Sequence, residues 1–206
     1  MQGKNFRLLD GIPLWQHLIR ELGNTEIYID TDCEKLIKEY EGHSTITAYK
    51  RKQKYIDQEN DPSNKESPVL RMTEDFIDMY VEDEKEPLVI THVTSPFLKM
   101  KTILKAVKGL NEFSFVHSVK ELYDFAWCKG RALNFEPPAV TRTQDLEPVY
   151  VSCGAFFCFT KETFKKYKSR LGEEDRLLMP LSLVEGIEID TEEDFEFAEI
   201  VCRGLR

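Results

Sequence analysis

Two carboxylates near residue 190 carry the clearest chemical signal in the sequence. Glu188 and Asp190 alternate with Ile187 and Ile189 in the run Gly186-Ile187-Glu188-Ile189-Asp190. A strand sends successive side chains to opposite faces, so the isoleucines are expected to bury one face while both acids leave the other. Thr191 follows, with Asp194 three residues on, a box-like helix start ahead of Phe195. Paired acids at the C-terminal end of a strand are where α/β proteins hold a metal that grips phosphate. An ordinary solvated strand edge has the same local pattern, because charged faces are usually just hydrated.

The elements that must position these acids alternate along the chain. Pro13 fits the first turn of a helix running to about Leu22, and Gly23-Asn24 supplies its stop. Glu26 to Ile29 reads as a short strand, Glu34 to Tyr40 as a helix and Thr45 to Ala48 as a second strand. Residues 50–67 carry many charges and few aliphatics, so a mobile loop is expected there. A helix from about Pro68 to Tyr80 follows, and Leu88-Val89-Ile90 has the apolar continuity of a central parallel strand. Another helix is expected near residues 100–109. The alternation predicts an α/β fold built on an open, mostly parallel sheet flanked by helices. Residues 114–119, 125–128 and 149–159 read as strands, so a β-rich excursion precedes the last α/β unit.

Composition narrows the function classes. A chain of 206 residues is expected to form one domain, and 41% hydrophobic residues suit a globular core. A net charge of −9 argues against a nucleic-acid-binding surface. The five cysteines are scattered without a CxxC pair, a reduced, cytoplasmic pattern and neither a disulfide framework nor a zinc site. No apolar run approaches the ~20 residues needed to span a membrane, so membrane insertion is not expected.

Four segments carry a family resemblance. Lys4-Asn5-Phe6-Arg7-Leu8-Leu9-Asp10-Gly11-Ile12-Pro13-Leu14 follows a "KN-R-L-G-PL" pattern, and Thr94-Ser95-Pro96-Phe97-Leu98 follows "PTSPLR". Arg142-Thr143-Gln144-Asp145-Leu146-Glu147-Pro148-Val149-Tyr150, with Gly154-Ala155-Phe156 after it, follows an "R-Q-LP" then "GA" pattern. The run from Ile187 to Phe195 follows "IDIDTPEDF". Each is weak alone. In this order over nearly the whole chain they resemble the cytidylyltransferases that activate acidic sugars, especially the CMP-N-acetylneuraminate (sialic acid) synthetases.

The resemblance implies a Rossmann-like nucleotidyltransferase sheet and the Mg²⁺-dependent transfer of CMP from CTP to the anomeric hydroxyl of an acidic nine-carbon sugar, releasing pyrophosphate. It implies Asp190 and Glu188 as metal ligands, and Lys4, Asp190 and Arg142 as the catalytic set. Asn5, Arg51, Ser67, His92, Thr94, Gln144 and Tyr150 are then the candidates for nucleotide or sugar binding. Arg142 would grip the sugar carboxylate through two parallel bonds. His92 would bind sugar hydroxyls or assist deprotonation. Each has a plainer rival: a solvated cation for Lys4 and Arg51, a surface ion pair for Arg142, a core aromatic for Tyr150. A homodimer is expected, with the β-rich arm of residues 118–148 packed on the partner, because Phe125, Trp127, Leu133 and Phe135 need cover.

The departures matter too. The family's opening strand and most of its Gly- and Ser-rich phosphate loop have no counterpart here, so either an upstream extension of the polypeptide or an inactive, poorly soluble 206-residue form is expected. Glu188 stands at the family's first aspartate, His92 at its usual Gln, and Cys153 where Asn or Gly precedes "GA". Activation of 3-deoxy-manno-octulosonate, pseudaminate or legionaminate is an alternative, and non-catalytic sugar-nucleotide binding is another.

Overall fold

A computed structural model describes residues 3–138 and 141–205. A 3₁₀ turn at Lys4–Phe6 leads into the two-residue strands β1 (Leu8–Leu9) and β2 (Ile12–Pro13), paired as a small antiparallel hairpin. There follow α1 (Leu14–Leu22), β3 (Ile27–Thr31), α2 (Glu34–Glu39), β4 (Ile46–Lys50), α3 (Gln53–Asn60), α4 (Val69–Tyr80), β5 (Pro87–Thr91), α5 (Met100–Gly109) and β6 (Phe115–Leu122). The short strands β7 (Trp127–Cys128) and β8 (Arg131–Ala132) pair with each other, and a second 3₁₀ turn covers Thr143–Asp145. The chain closes with β9 (Val149–Thr160), α6 (Lys161–Tyr167), β10 (Arg176–Pro180) and α7 (Glu192–Gly204).

The α/β architecture expected from the alternation is present, but the main sheet is mixed. Its order is β10-β6-β9-β5, with β10 parallel to β6 and β9 antiparallel to both β6 and β5. The strand read as central and parallel, Leu88-Val89-Ile90, therefore lies at the edge of this sheet and runs antiparallel to its neighbour. Its apolar continuity reflects partial cover on both faces, Val89 against one helix layer and Leu88 and Ile90 against the other, which does not depend on strand direction. The strands β3 and β4 form a separate parallel pair. The segment expected to be a mobile loop contains α3, whose Tyr55 is only 4% exposed and bonds through its hydroxyl to Asp75 of α4.

Helices cover both faces of the four-stranded sheet. On one side Leu18 of α1 and Ile103 and Ala106 of α5 pack with Val116, Phe156, Cys158 and Met179. On the other, Ile77 of α4 and Phe164 of α6 pack with Phe115, Phe157 and Phe159. Alternate residues of β9 thus serve opposite layers, as the strand pleat requires. Helix α4 also reaches the separate pair: Phe76 and Tyr80 make ring contacts with Tyr28 of β3 and Tyr49 of β4. Gly23 ends α1 with φ 63, in the left-handed region that favours glycine.

Candidate functional site

The acidic segment 186–190 keeps the predicted alternation without being a strand. Ile187 and Ile189 are buried with Leu9, Leu14, Phe97 and Phe195, while Glu188 is half-buried and Asp190 exposed. Its backbone is pinned instead by the Ile189 amide, which donates to the carbonyl of Thr94 at 2.8 Å. Thr191 caps α7 as its spacing predicts. Its hydroxyl accepts from the Asp194 amide at 3.2 Å, and the Asp194 carboxylate accepts from the amides of Thr191 and Asp190 at 2.8 and 3.0 Å. The Thr191 hydroxyl also donates to the Asp194 carboxylate at 2.8 Å, and that bond first, with the two amide bonds after it, holds the Asp194 carboxyl below its ordinary pKa.

Lys4 comes to this segment from the other end of the chain. Its Nζ lies 2.6 Å from Asp190 Oδ1. Arg7 reinforces the join, pairing with Glu192 and placing its guanidinium 3.9 Å from the centre of the Phe195 ring. Glu188 faces the backbone of Gly154, where a β-carbon would sit 2.8 Å from Oε1 and where φ is +66. Only glycine fits there without displacing the carboxylate. Burial first, and the Asp190 charge second, push the Glu188 carboxyl above its ordinary pKa, with Lys4 and Lys120 opposing.

His92 follows β5 and meets Phe157 edge-on, ring centres 6.3 Å apart. Burial and then the Arg170 charge lower its pKa, against the pull of Asp190, so it is neutral near neutrality. Arg170, between α6 and β10, sets its guanidinium 4.1 Å from the centre of the Phe157 ring. Lys4, His92, Arg170, Glu188 and Asp190 thus form one group of mutually sensed charges.

The other predicted residues stand apart or act differently. Thr94 is 8% exposed and contributes its carbonyl to the pinning of the acidic segment. Asn5 is exposed beside Lys4 in the first 3₁₀ turn. Arg51 belongs to the β3–β4 unit, where it pairs with Asp30 at 2.8 Å and Glu59 at 2.7 Å. Ser67 is exposed and its hydroxyl accepts from the Val69 amide at 3.3 Å at the start of α4. Arg142 is solvent-facing and pairs with Asp145 at 2.6 Å, the surface arrangement that was its rival reading. Gln144 is exposed in the second 3₁₀ turn, and Tyr150, 43% exposed, donates to Glu121 at 3.1 Å. Arg170 escaped the sequence reading because it sits in an irregular segment with no motif or period. What marks it is its ring partner, Phe157, on a different element.

Glu188 and Asp190 are the residues that could hold a metal. Among the described residues no group of three or more His, Cys, Asp and Glu side chains gathers as a metal cage. Two carboxylates suit Mg²⁺, which keeps several waters and completes its shell with substrate phosphates. The raised Glu188 pKa, partly caused by Asp190, is a like-charge strain that a divalent cation would relieve. The donor set therefore fits.

His117 of β6 is 6% exposed, and its Nδ1 makes no hydrogen bond with the described residues. Burial and then Arg176 lower its pKa. Since the folded value lies below the unfolded one, the unfolded chain takes up the proton first on acidification. Stability from this group is full above the ordinary imidazole value of about 6.5 and falls as pH drops below it. His117→Leu should show a shallower loss of urea-unfolding stability than the parent as the pH falls below about 6.5. An unchanged slope would remove His117 from the account.

No protein-family model matches the chain. Over 93% of its length it is 29% identical to an N-acylneuraminate cytidylyltransferase of Streptococcus agalactiae serotype III, and equally so to that of serotype Ia. The match takes in 48% of each relative, so the chain spans about half the length of the curated relatives it matches. This is a weak but near-continuous homology. Among solved structures, 4-diphosphocytidyl-2C-methyl-D-erythritol synthase of Anaerococcus prevotii superposes with a TM-score of 0.65 at 13% identity, covering 98% of this chain and 94% of that one. CMP:2-keto-3-deoxy-manno-octonic acid synthetase complexed with CTP gives 0.63 at 13% identity, covering 100% and 94%. The chain has the Rossmann-like fold of these cytidylyl-handling proteins.

Proposed function

We propose that the chain transfers CMP from CTP to the anomeric hydroxyl of an acidic nine-carbon sugar of the sialic acid type, with loss of pyrophosphate. The carrying observation is that Lys4, His92, Glu188 and Asp190 meet at one place, in a chain homologous over 93% of its length to N-acylneuraminate cytidylyltransferases. The sugar oxygen bonds to the α-phosphorus, the bond from that phosphorus to the β-phosphate bridge oxygen breaks, and pyrophosphate departs with its electron pair. Bound Mg²⁺ supplies charge neutralisation on the phosphates. Asp190 and Glu188 would hold it, and Lys4 adds a cation beside them. Neutral His92 would receive the hydroxyl proton. Positioning and electrostatics carry most of such a reaction, so small displacements of these groups cost rate.

The arm of residues 118–148 supports a homodimer. Trp127 and Leu133 are 60% and 57% exposed, while Phe125 and Phe135 meet edge to face at 4.9 Å. A second copy would cover them and bring Arg142 towards the neighbour's sugar pocket. A cytoplasmic setting accords with the unpaired cysteines, and no helix among the described residues is long and apolar enough to cross a membrane.

Pyrophosphate release from CTP and Mg²⁺ tests this reading, with sialic acid, 3-deoxy-manno-octulosonate, pseudaminate and legionaminate offered in turn. Release with sialic acid above the others is the expected result. Release with another of these acids would keep the chemistry and change the sugar. No release with any of them, while CTP still binds, would make this a sugar-nucleotide-binding protein.

A further inference from the structure

The structure points to Arg170 as the cation that binds the substrate's carboxylate, presented from the face of Phe157 beside His92. This rests on the transferase reading above and names the residue that makes it selective for acidic sugars. Arg142, the candidate from sequence, could reach a sugar pocket only from a second copy, and within its own chain it is 73% exposed and engaged by Asp145. Arg170 differs on each count. It is half-buried, the central carbon of its guanidinium lies over the Phe157 ring, 4.1 Å from the ring centre, and Phe157 itself is 3% exposed and fixed in β9. A cation–π contact with an immobile ring holds the guanidinium in place without consuming its N–H donors.

Those donors are short of partners. Arg170 Nη1 is enclosed and makes no hydrogen bond with the described residues. Leaving such a group unsatisfied costs about 1–3 kcal/mol, and more where it is charged, so native proteins rarely keep one without a use. Among the described residues, two of the three enclosed side-chain polar atoms without partners, Arg170 Nη1 and His117 Nδ1, belong to side chains against Phe157. Glu188 is close enough to influence Arg170 electrostatically, yet no ion pair joins them among the described residues. A metal ion on Glu188 and Asp190 would withdraw that compensation, and the substrate's carboxylate would restore it. A planar carboxylate satisfies it in a bidentate manner, and a neutral sugar does not.

The test is CMP transfer by the 206-residue chain and its Arg170→Met variant, which keeps a flexible apolar stem on Phe157. Sialic acid and its carboxamide are compared as acceptors. Arg170→Met should raise KM for sialic acid roughly 10- to 100-fold, leave KM for CTP unchanged and abolish the preference for acid over carboxamide. Arg170→Lys, which keeps the charge but not the fork, should recover part of the loss. Retained discrimination in Arg170→Met, or a rise confined to the CTP KM, overturns the assignment. A lowered urea midpoint with unchanged discrimination would assign Arg170 to packing alone, which also overturns it. If the parent releases no pyrophosphate with any acidic sugar, the transferase reading fails separately. Calorimetric titration of sialic acid and its carboxamide into parent and variant then decides Arg170: equal heats in the two proteins sink it, and acid binding lost only in the variant sustains it.

Discussion

Asp190→Asn is expected to reduce CMP transfer by about a thousand-fold, because a ligated metal supplies several kcal/mol of charge stabilisation and each 1.36 kcal/mol is tenfold in rate. The asparagine keeps the shape and one oxygen but loses the charge that would hold Mg²⁺. It also removes the partner of Lys4, leaving that cation to drift from its place. Stability should scarcely change, since the Asp190 side chain is 63% exposed and pairs of this kind contribute little. Rate loss without stability loss separates a chemical role from a structural one. Glu188→Gln should be milder, as water can replace a second carboxylate. Transfer comparable to the parent in Asp190→Asn, at ordinary Mg²⁺ concentrations, would sink the assignment of Asp190 as ligand.

The largest effect on stability is expected from Phe159→Ala. Phe159 is 0% exposed in β9, stacked on Phe164 of α6 at 5.4 Å and tilted against Phe115 of β6 at 6.4 Å. Truncation leaves a cavity between a strand and two other elements that cannot all move inward. Phe→Ala losses in such settings run to about 3–5 kcal/mol, against a total stability of roughly 5–15 kcal/mol. The midpoint of urea unfolding should fall accordingly, with the slope of the transition preserved. A loss below about 1 kcal/mol would mean that α6 collapses onto the gap, and that this aromatic layer is less rigid than its packing implies.

What the sequence disclosed was local. The Thr191 and Asp194 spacing predicts a cap because both bonds close within one helical turn, and both are present. Ile187 and Ile189 bury while Glu188 and Asp190 emerge, since that alternation needs only an extended backbone and an apolar neighbour. Strand neighbours were not legible. Leu88 to Ile90 reads as buried from composition, but its antiparallel pairing with β9 depends on the path of residues 92–148 between them. Helix α3 was hidden because only Tyr55 of its eight residues is buried, too little to print a helical period. Among the site residues, Lys4 and Asp190 were named on separate motifs, and the structure joins them. Arg142 was named on a motif and stands on the surface. Arg170 has no motif, and its meaning comes from Phe157 and from a nitrogen without a partner, both properties of the folded chain.

The strand order also dictates a timetable. Neither β5 nor β6 pairs with the other; each takes its antiparallel partner from β9, and the second neighbour of β6 is β10. On a ribosome, Leu88 and Val116 therefore wait, unpaired and apolar, until residues 149–160 have emerged. Only after β10 do Glu188 and Asp190 arrive, and Lys4 then closes on Asp190 across 186 residues of chain. Contacts of such separation are entropically expensive and form late. The Lys4–Asp190 contact is thus among the later things the nascent chain can assemble, and chains released before it present a greasy half-sheet without that corner.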